Sequence, residues 1–195
     1  MIEEKEYLQR FFENSGKFNA IKAKEIAGYF EEKEVSKGRF FLKEGQVSNE
    51  YMVLENGFMR AFSFDPEGNE VTTAFHNITY PVFEVASFFN RTPSRENIQA
   101  LTDCNGWVIT YEQLDILFHS IPEFRDFGRS ILVKGFASLK TRMLSLVTET
   151  AEERYTSLLQ SNPEIFHYTP LKQIASYLGI TDTSLSRIRK DMMKK

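Results

Sequence analysis

The chain has 195 residues, 42% of them hydrophobic, and a net charge of −3, which supplies apolar material for a packed core and excludes a disordered, highly charged chain. No apolar stretch approaches the length that crosses a bilayer, and Met1 to Glu6 are acidic where a secretory signal is basic, so the sequence predicts a cytoplasmic protein with no membrane partner. The single cysteine, Cys104, excludes an internal disulfide framework and any iron–sulfur or zinc centre built from several thiolates of one chain, and it reads as a small buried hydrophobe.

Residues Ile2 to Phe30 set Phe11, Phe12, Phe18, Ile21, Ile26 and Phe30 among many Lys and Glu residues, which predicts short amphipathic helices. From Glu34 the texture changes to short runs rich in Val, Phe, Tyr and Thr, broken by Lys37-Gly38, Glu44-Gly45, Asn56-Gly57 and Pro66-Glu67-Gly68-Asn69. Strands are expected at about Arg39–Leu42, Glu50–Glu55, Phe58–Asp65, Glu70–His76, Ile98–Ala100 and Gly106–Thr110. Their regular spacing predicts an antiparallel β-barrel or jelly roll in a chain of α+β class.

After Thr110 helical signals take over. A short helix is expected at Tyr111 to Ser120, then Pro122 in a first helical turn, then a long helix running without another proline to about Thr148. Phe124, Phe127, Ile131, Leu139, Met143 and Leu146 recur at helical spacing with Gly128, Gly135 and Ser138 between them. Such a helix either lies across its own barrel or joins a second copy, where small residues allow close approach, and its length permits both.

The last segment has the sharpest pattern. Leu171, Ile174, Ala175 and Leu178 form one apolar face, Gly179 supplies a turn, and Thr181 can cap a second helix whose inward positions are Leu185 and Ile188. A generic helical hairpin shares the apolar spacing but does not require a small residue at Ala175, a glycine at 179 and a β-branched Ile180 together; a helix-turn-helix does. Its outward residues are Asp182, Thr183, Ser184, Ser186, Arg187, Arg189 and Lys190, a polar and basic set suited to a major groove. From Pro170 onward Lys172, Arg187, Arg189, Lys190, Lys194 and Lys195 stand against Asp182 and Asp191, a balance of +4 that leaves −7 on the remainder. An acidic body with a basic end fits a modular protein that meets phosphate at one end, although a solvated Lys/Arg tail has the same composition.

In its order of elements the chain resembles the Crp/Fnr family of bacterial transcription regulators over nearly its whole length. The segment Val82-Phe83-Glu84-Val85-Ala86-Ser87-Phe88-Phe89-Asn90-Arg91-Thr92-Pro93-Ser94-Arg95 looks like that family's phosphate-binding cassette, in which a Gly-Glu pair opens a short helix and an Arg-Ser or Arg-Ala pair closes the loop. The resemblance implies a cyclic nucleotide-binding-like sensor domain over residues 1–120, a long dimerisation helix over 121–148, and a winged-helix-like helix-turn-helix over 149–195 with its wing truncated, since the sequence stops at Lys195. It implies Glu84, Ser94, Arg95, Leu139 and Lys140 as effector-binding positions and Thr181, Asp182, Thr183, Ser184, Ser186, Arg187, Arg189 and Lys190 as DNA-binding ones. The implied partners are double-stranded DNA, a second copy in a homodimer, and RNA polymerase; the implied ligand is a cyclic nucleotide or another small effector.

The cassette departs from the family pattern. Phe83 replaces the glycine, and an ungapped alignment puts Ser94 in the arginine slot and Arg95 beside it, pointing the opposite way on an extended strand; one inserted residue restores Arg95 but brings acidic Glu96 next to it. Leu139 and Lys140 stand where cyclic-AMP-binding members carry small hydroxyl residues. The expectation is a sensor that does not bind cyclic AMP in the usual way, and that takes another effector or none. Asp182, Thr183 and Arg187 replace an Arg-Glu pair followed by Arg, which implies a different operator. The lone cysteine and scattered His76, His119 and His167 give no basis for an iron–sulfur or haem sensor. With His76 alone in the strand region, and no glycine-rich phosphate loop, nucleophile elbow or paired carboxylates, neither a catalytic nor a metal site is expected. The competing reading is a degenerate module that acts through protein partners without specific DNA binding.

Overall fold

The computed structural model describes residues 5–193 of the chain; Met1 to Glu4, where the first predicted helix starts, and Lys194 and Lys195 of the basic end lie outside them. Two short helices come first, α1 (Glu6–Asn14) and α2 (Ala20–Ala27), the second capped by the Asn19 side chain, which accepts from the amide of Lys22. Strands follow as β1 (Glu31–Val35), β2 (Phe40–Leu42), β3 (Glu50–Asn56), β4 (Met59–Phe64) and β5 (Glu70–His76), then a helix α3 (Val85–Asn90), then β6 (Asn97–Ala100) and β7 (Cys104–Thr110).

The strands make two antiparallel sheets, ordered β1-β7-β3 and β2-β6-β4-β5, so the jelly-roll form of the expected architecture is the one observed. Alternation along the strands places Met52, Leu54, Met59, Ala61, Ile98, Cys104 and Val108 between the sheets. The opposite face of the three-stranded sheet turns Tyr51, Val53, Trp107 and Ile109 toward the helices. β1 escaped the sequence reading: Glu31, Glu32, Lys33 and Glu34 precede its one buried residue, Val35, and the strand exists because β7 supplies hydrogen bonds to it. Charged side chains also suit it as an edge, because they discourage pairing with another chain.

Helix α4 (Tyr111–Ser120) starts at a capping box of Thr110 and Gln113, and α5 (Pro122–Thr148) carries Pro122 at its first position. Both match the expected ranges. Phe12, Phe18, Phe30, Phe124 and Phe127 fill a cluster of edge-to-face and tilted ring pairs, with Phe12 5.8 Å from Phe18 and 5.5 Å from Phe127, which fixes the first third of α5 on the sheet and on α1. Gly128 serves this intramolecular packing: an added Cβ would lie 2.4 Å from the Phe118 ring, whereas Gly135 faces open space. Beyond Ile131 the helix leaves the core and its apolar residues become exposed.

At Glu149 the backbone turns extended, and Thr150 opens α6 (Ala151–Ser161) through a capping box with Glu153. The short α7 (Ile165–Tyr168), α8 (Leu171–Tyr177) and α9 (Asp182–Met192) complete a cluster around Tyr155, Leu158, Ile165, Ile174, Ala175, Leu178 and Leu185, which Phe58 and Leu101 of the strand region join.

Candidate functional site

Two regions carry the expected site residues. In the first, the Glu84 carboxylate caps α3, accepting from the amides of Ala86 at 3.0 Å and Ser87 at 2.6 Å. These are the amides that point toward any anion placed at this helix start, and the chain fills them with its own carboxylate. The Phe83 ring is buried 5.0 Å from Tyr51 and 5.4 Å from Phe88, so it anchors the cassette to the aromatic core and does not stand in the loop. Ser87 locks the turn, accepting from Ser48 N at 2.8 Å and donating to Thr92 O.

Arg91 ends α3 in the left-handed region at φ 56°. Its guanidinium donates to Ser48 O at 3.0 Å and lies 4.1 Å over the Tyr111 ring, so it closes the loop onto the fold. Ser94 is buried and occupied internally: its hydroxyl donates to Glu96 O at 2.8 Å and accepts from Glu96 N at 3.0 Å. Arg95 is exposed in a bend that precedes β6, so its outward position does not come from strand alternation. Glu96 is half-buried, and burial raises its carboxyl above the ordinary range; the Thr73 hydroxyl opposes that shift, Glu84 adds to it, and Arg142 opposes it. The cassette therefore brings Glu84 into the electrostatic range of a second carboxylate, while Leu139 and Lys140 are exposed on α5.

The second region is α8–α9. α8 ends in a Schellman turn: Ile180 N donates to Ala175 O at 3.0 Å, Gly179 N donates to Ser176 O at 3.1 Å, and Gly179 takes φ +68°. Thr181 caps α9, its hydroxyl accepting from Ser184 N at 3.2 Å and lying 3.0 Å from Ser184 Oγ, so both hydroxyls hold the helix start. Asp182 follows in the first turn, where its charge favours the helix dipole. Leu185 is fully buried and Ile188 half-buried, which pins α9 on Ile174, Ala175 and Leu178. That anchoring turns Thr183, Ser186, Arg187 and Lys190 outward on one face, all exposed, with Asp182 at its edge and Arg189 half-buried at its flank.

Residues 32–120 match the cyclic nucleotide-binding domain family. The chain is 26% identical over 167 residues to the fumarate and nitrate reduction regulatory protein of Vibrio cholerae, and 25% identical over 166 residues to the transcriptional activator protein Anr of Pseudomonas protegens. These alignments cover 80% and 79% of this chain, and 66% and 67% of the two relatives, so the chain spans about two thirds of their length. The structure of FixK2 from Bradyrhizobium japonicum overlays with a TM-score of 0.73 at 16% identity over 85% of each chain.

The chain thus carries a cyclic nucleotide-binding domain and is similar to regulators of the Crp/Fnr type. Glu84 and Ser94, two positions at which the cassette resemblance places effector contacts, bond internally here, as does Arg91. Two contributors went unread in the sequence. Arg60, 1% exposed on β4, pairs with Glu70 and lies 4.1 Å over the Phe62 ring; a lone arginine in the apolar run Met59 to Phe64 was the available signal. Arg142 became visible only through the fold, because its neighbours come from different elements, and Glu96, read only as the acidic neighbour of Arg95, gains its burial there. Among the described residues no helix is long and apolar enough to cross a membrane.

Proposed function

We propose that this chain is a dimeric, DNA-binding transcription regulator whose sensor does not take cyclic AMP in the family's usual way. The observation that carries the DNA reading is the exposed face of Thr183, Ser186, Arg187 and Lys190 on a helix anchored by Leu185 behind a glycine turn. Arg187 is able to make a bidentate contact with guanine O6 and N7, Lys190 can meet phosphate, and Thr183 and Ser186 fit either. The working division is a sensor over residues 1–120, the helix 121–148 as dimer contact, and residues 149–195 as the DNA-binding head, in a cytoplasmic protein that acts on RNA polymerase.

The dimer reading is supported by α5. Leu132, Phe136, Leu139, Met143 and Leu146 follow the four–three spacing of a coiled-coil seam and are exposed, Phe136 by 70%. Two such helices side by side set the heads to meet half-sites about one DNA turn, roughly 34 Å, apart. The effector reading is supported by the Glu84 cap on α3 and by the internally bonded Ser94; a cyclic phosphate would have to displace the first and find Arg95 facing solvent.

The test is retention of a randomised duplex pool by the purified chain, followed by sequencing. A two-fold symmetric motif with half-sites one turn apart is expected; motif-free retention that fades steeply with salt would overturn the DNA reading in favour of a module acting through protein partners. Titration calorimetry with cyclic AMP is expected to give no saturable heat, and micromolar affinity would overturn the effector reading.

A further inference from the structure

The DNA-binding head meets the sensor along the outer edge of β5, beside a packed contact in which the Phe58 ring lies 6.1 Å from Tyr168. β5 is the last strand of its sheet, and Thr73 is the extra residue of a bulge, since Ala61 faces Ala74 while Phe62 faces Thr72. An edge strand has backbone groups with no partner in the sheet, and the last carbonyls of a helix likewise lack partners within it. Here the two deficits meet. Thr72 N donates to the Ser176 hydroxyl of α8 at 3.1 Å, and that hydroxyl lies 3.0 Å from Thr72 Oγ1.

Arg142, on α5, completes the junction. Its Nη1 donates to Thr73 O on the edge strand at 2.7 Å, its Nη2 donates to Tyr177 O in the last turn of α8 at 3.1 Å, and its guanidinium lies 4.1 Å over the Tyr177 ring. One side chain of the long helix thus satisfies a sensor carbonyl and a head carbonyl together and places a cation at the negative end of α8. Beside it the Phe75 and Tyr177 rings lie 4.9 Å apart. Gln173, its amide turned to present oxygen, accepts from buried Arg60 at 3.1 and 3.2 Å. Leu146 of α5 sits at the Gly179 turn, 3.2 Å from where a Cβ would be.

We propose that Arg142 is the clamp that seats the head: from α5 its fork holds α8 on the β5 edge, and loss of the fork frees the head from the sensor. This rests on the reading of α8 and α9 as the DNA-binding head. Arg142 stands directly before Met143 and so flanks the Leu132 to Met143 seam, which places the fork beside the face that a second copy of α5 would cover. Arg142 is a positioning residue and makes no contact with DNA.

The test is hydrogen exchange on the intact chain without DNA, comparing the wild type with Arg142→Met and Arg142→Lys. Expected in Arg142→Met is a loss of protection of at least about tenfold at Thr72 and through α8, with the amides of β3 and β7 unchanged. Arg142→Lys, which keeps the charge but loses the fork and the stack, is expected to fall between. Wild-type protection in both variants would overturn the proposal. So would a loss shared equally by β3 and β7, because Arg142 would then hold the whole fold together and not seat the head. No DNA is present, so these outcomes stand apart from whether the head reads an operator.

Discussion

Glu84 and His76 show how far single residues can be read from a sequence. The position of Glu84 was legible only through the resemblance to the Crp/Fnr cassette, in which a glutamate opens a short helix. Its use as the cap of α3 was not, because that depends on the two amides which the fold turns toward it. His76 reads from the sequence as a satisfied histidine in the strand region, which the structure corrects. On β5 it sits opposite Met59, and its Nε2 has no hydrogen-bond partner among the described residues. Desolvation pushes its pKa down to about 4. The ring stays neutral in the folded chain while the unfolded chain takes up a proton near pH 6.5, so the stability from this site is complete above about 6.5 and is lost as the pH falls toward 4. The loss is on the order of 3 kcal/mol at most. Denaturant melts of wild type and His76→Gln across that window check it: the variant is expected to show the shallower decline, and equal slopes would assign the pH dependence to other groups.

Elements were legible where the chain marks their ends with local chemistry. Thr110 with Gln113, Pro122, and Thr181 before Ser184 each fix a helix start by a bond or a ring constraint made within a few residues, and α4, α5 and α9 begin where those signals stand. β1 carries no such signal, since its pattern of four charges and one valine is that of a surface segment until β7 pairs with it. α5 illustrates a mixture: its length was readable, while the division of its apolar residues was not. Phe124 and Phe127 belong to the intramolecular core, and the free seam is Leu132, Phe136, Leu139, Met143 and Leu146. Phe136→Glu places a charge at the centre of that seam without touching the core. Light scattering is expected to show the molar mass halved, with the far-ultraviolet dichroism and sensor melting unchanged; an unaltered mass would place the dimer contact elsewhere or remove it.

At the scale of the whole molecule the order of parts was readable and their docking was not. Jelly roll, long helix and helix-turn-helix follow from spacing along the chain, but the seating of α8 on the β5 edge joins residues about a hundred positions apart, such as Thr72 and Ser176. Polar side chains share that junction with the Phe75 and Tyr177 rings, and polar side chains look like solvated surface in a sequence. The same limit applies to the head itself: the pattern names a helix-turn-helix, and only the burial of Leu185 decides that Arg187 and not Arg189 stands at the middle of the outward face. We propose that this face reads base pairs. The most direct measurement is therefore the affinity of wild type and Arg187→Ala for the selected duplex and for its single-base-pair variants. We predict a loss of about 1–3 kcal/mol on the selected duplex, with discrimination relaxed at one base pair in each half-site and retained at the others. Affinity that is unchanged, or that falls equally on every duplex, would contradict direct readout by α9.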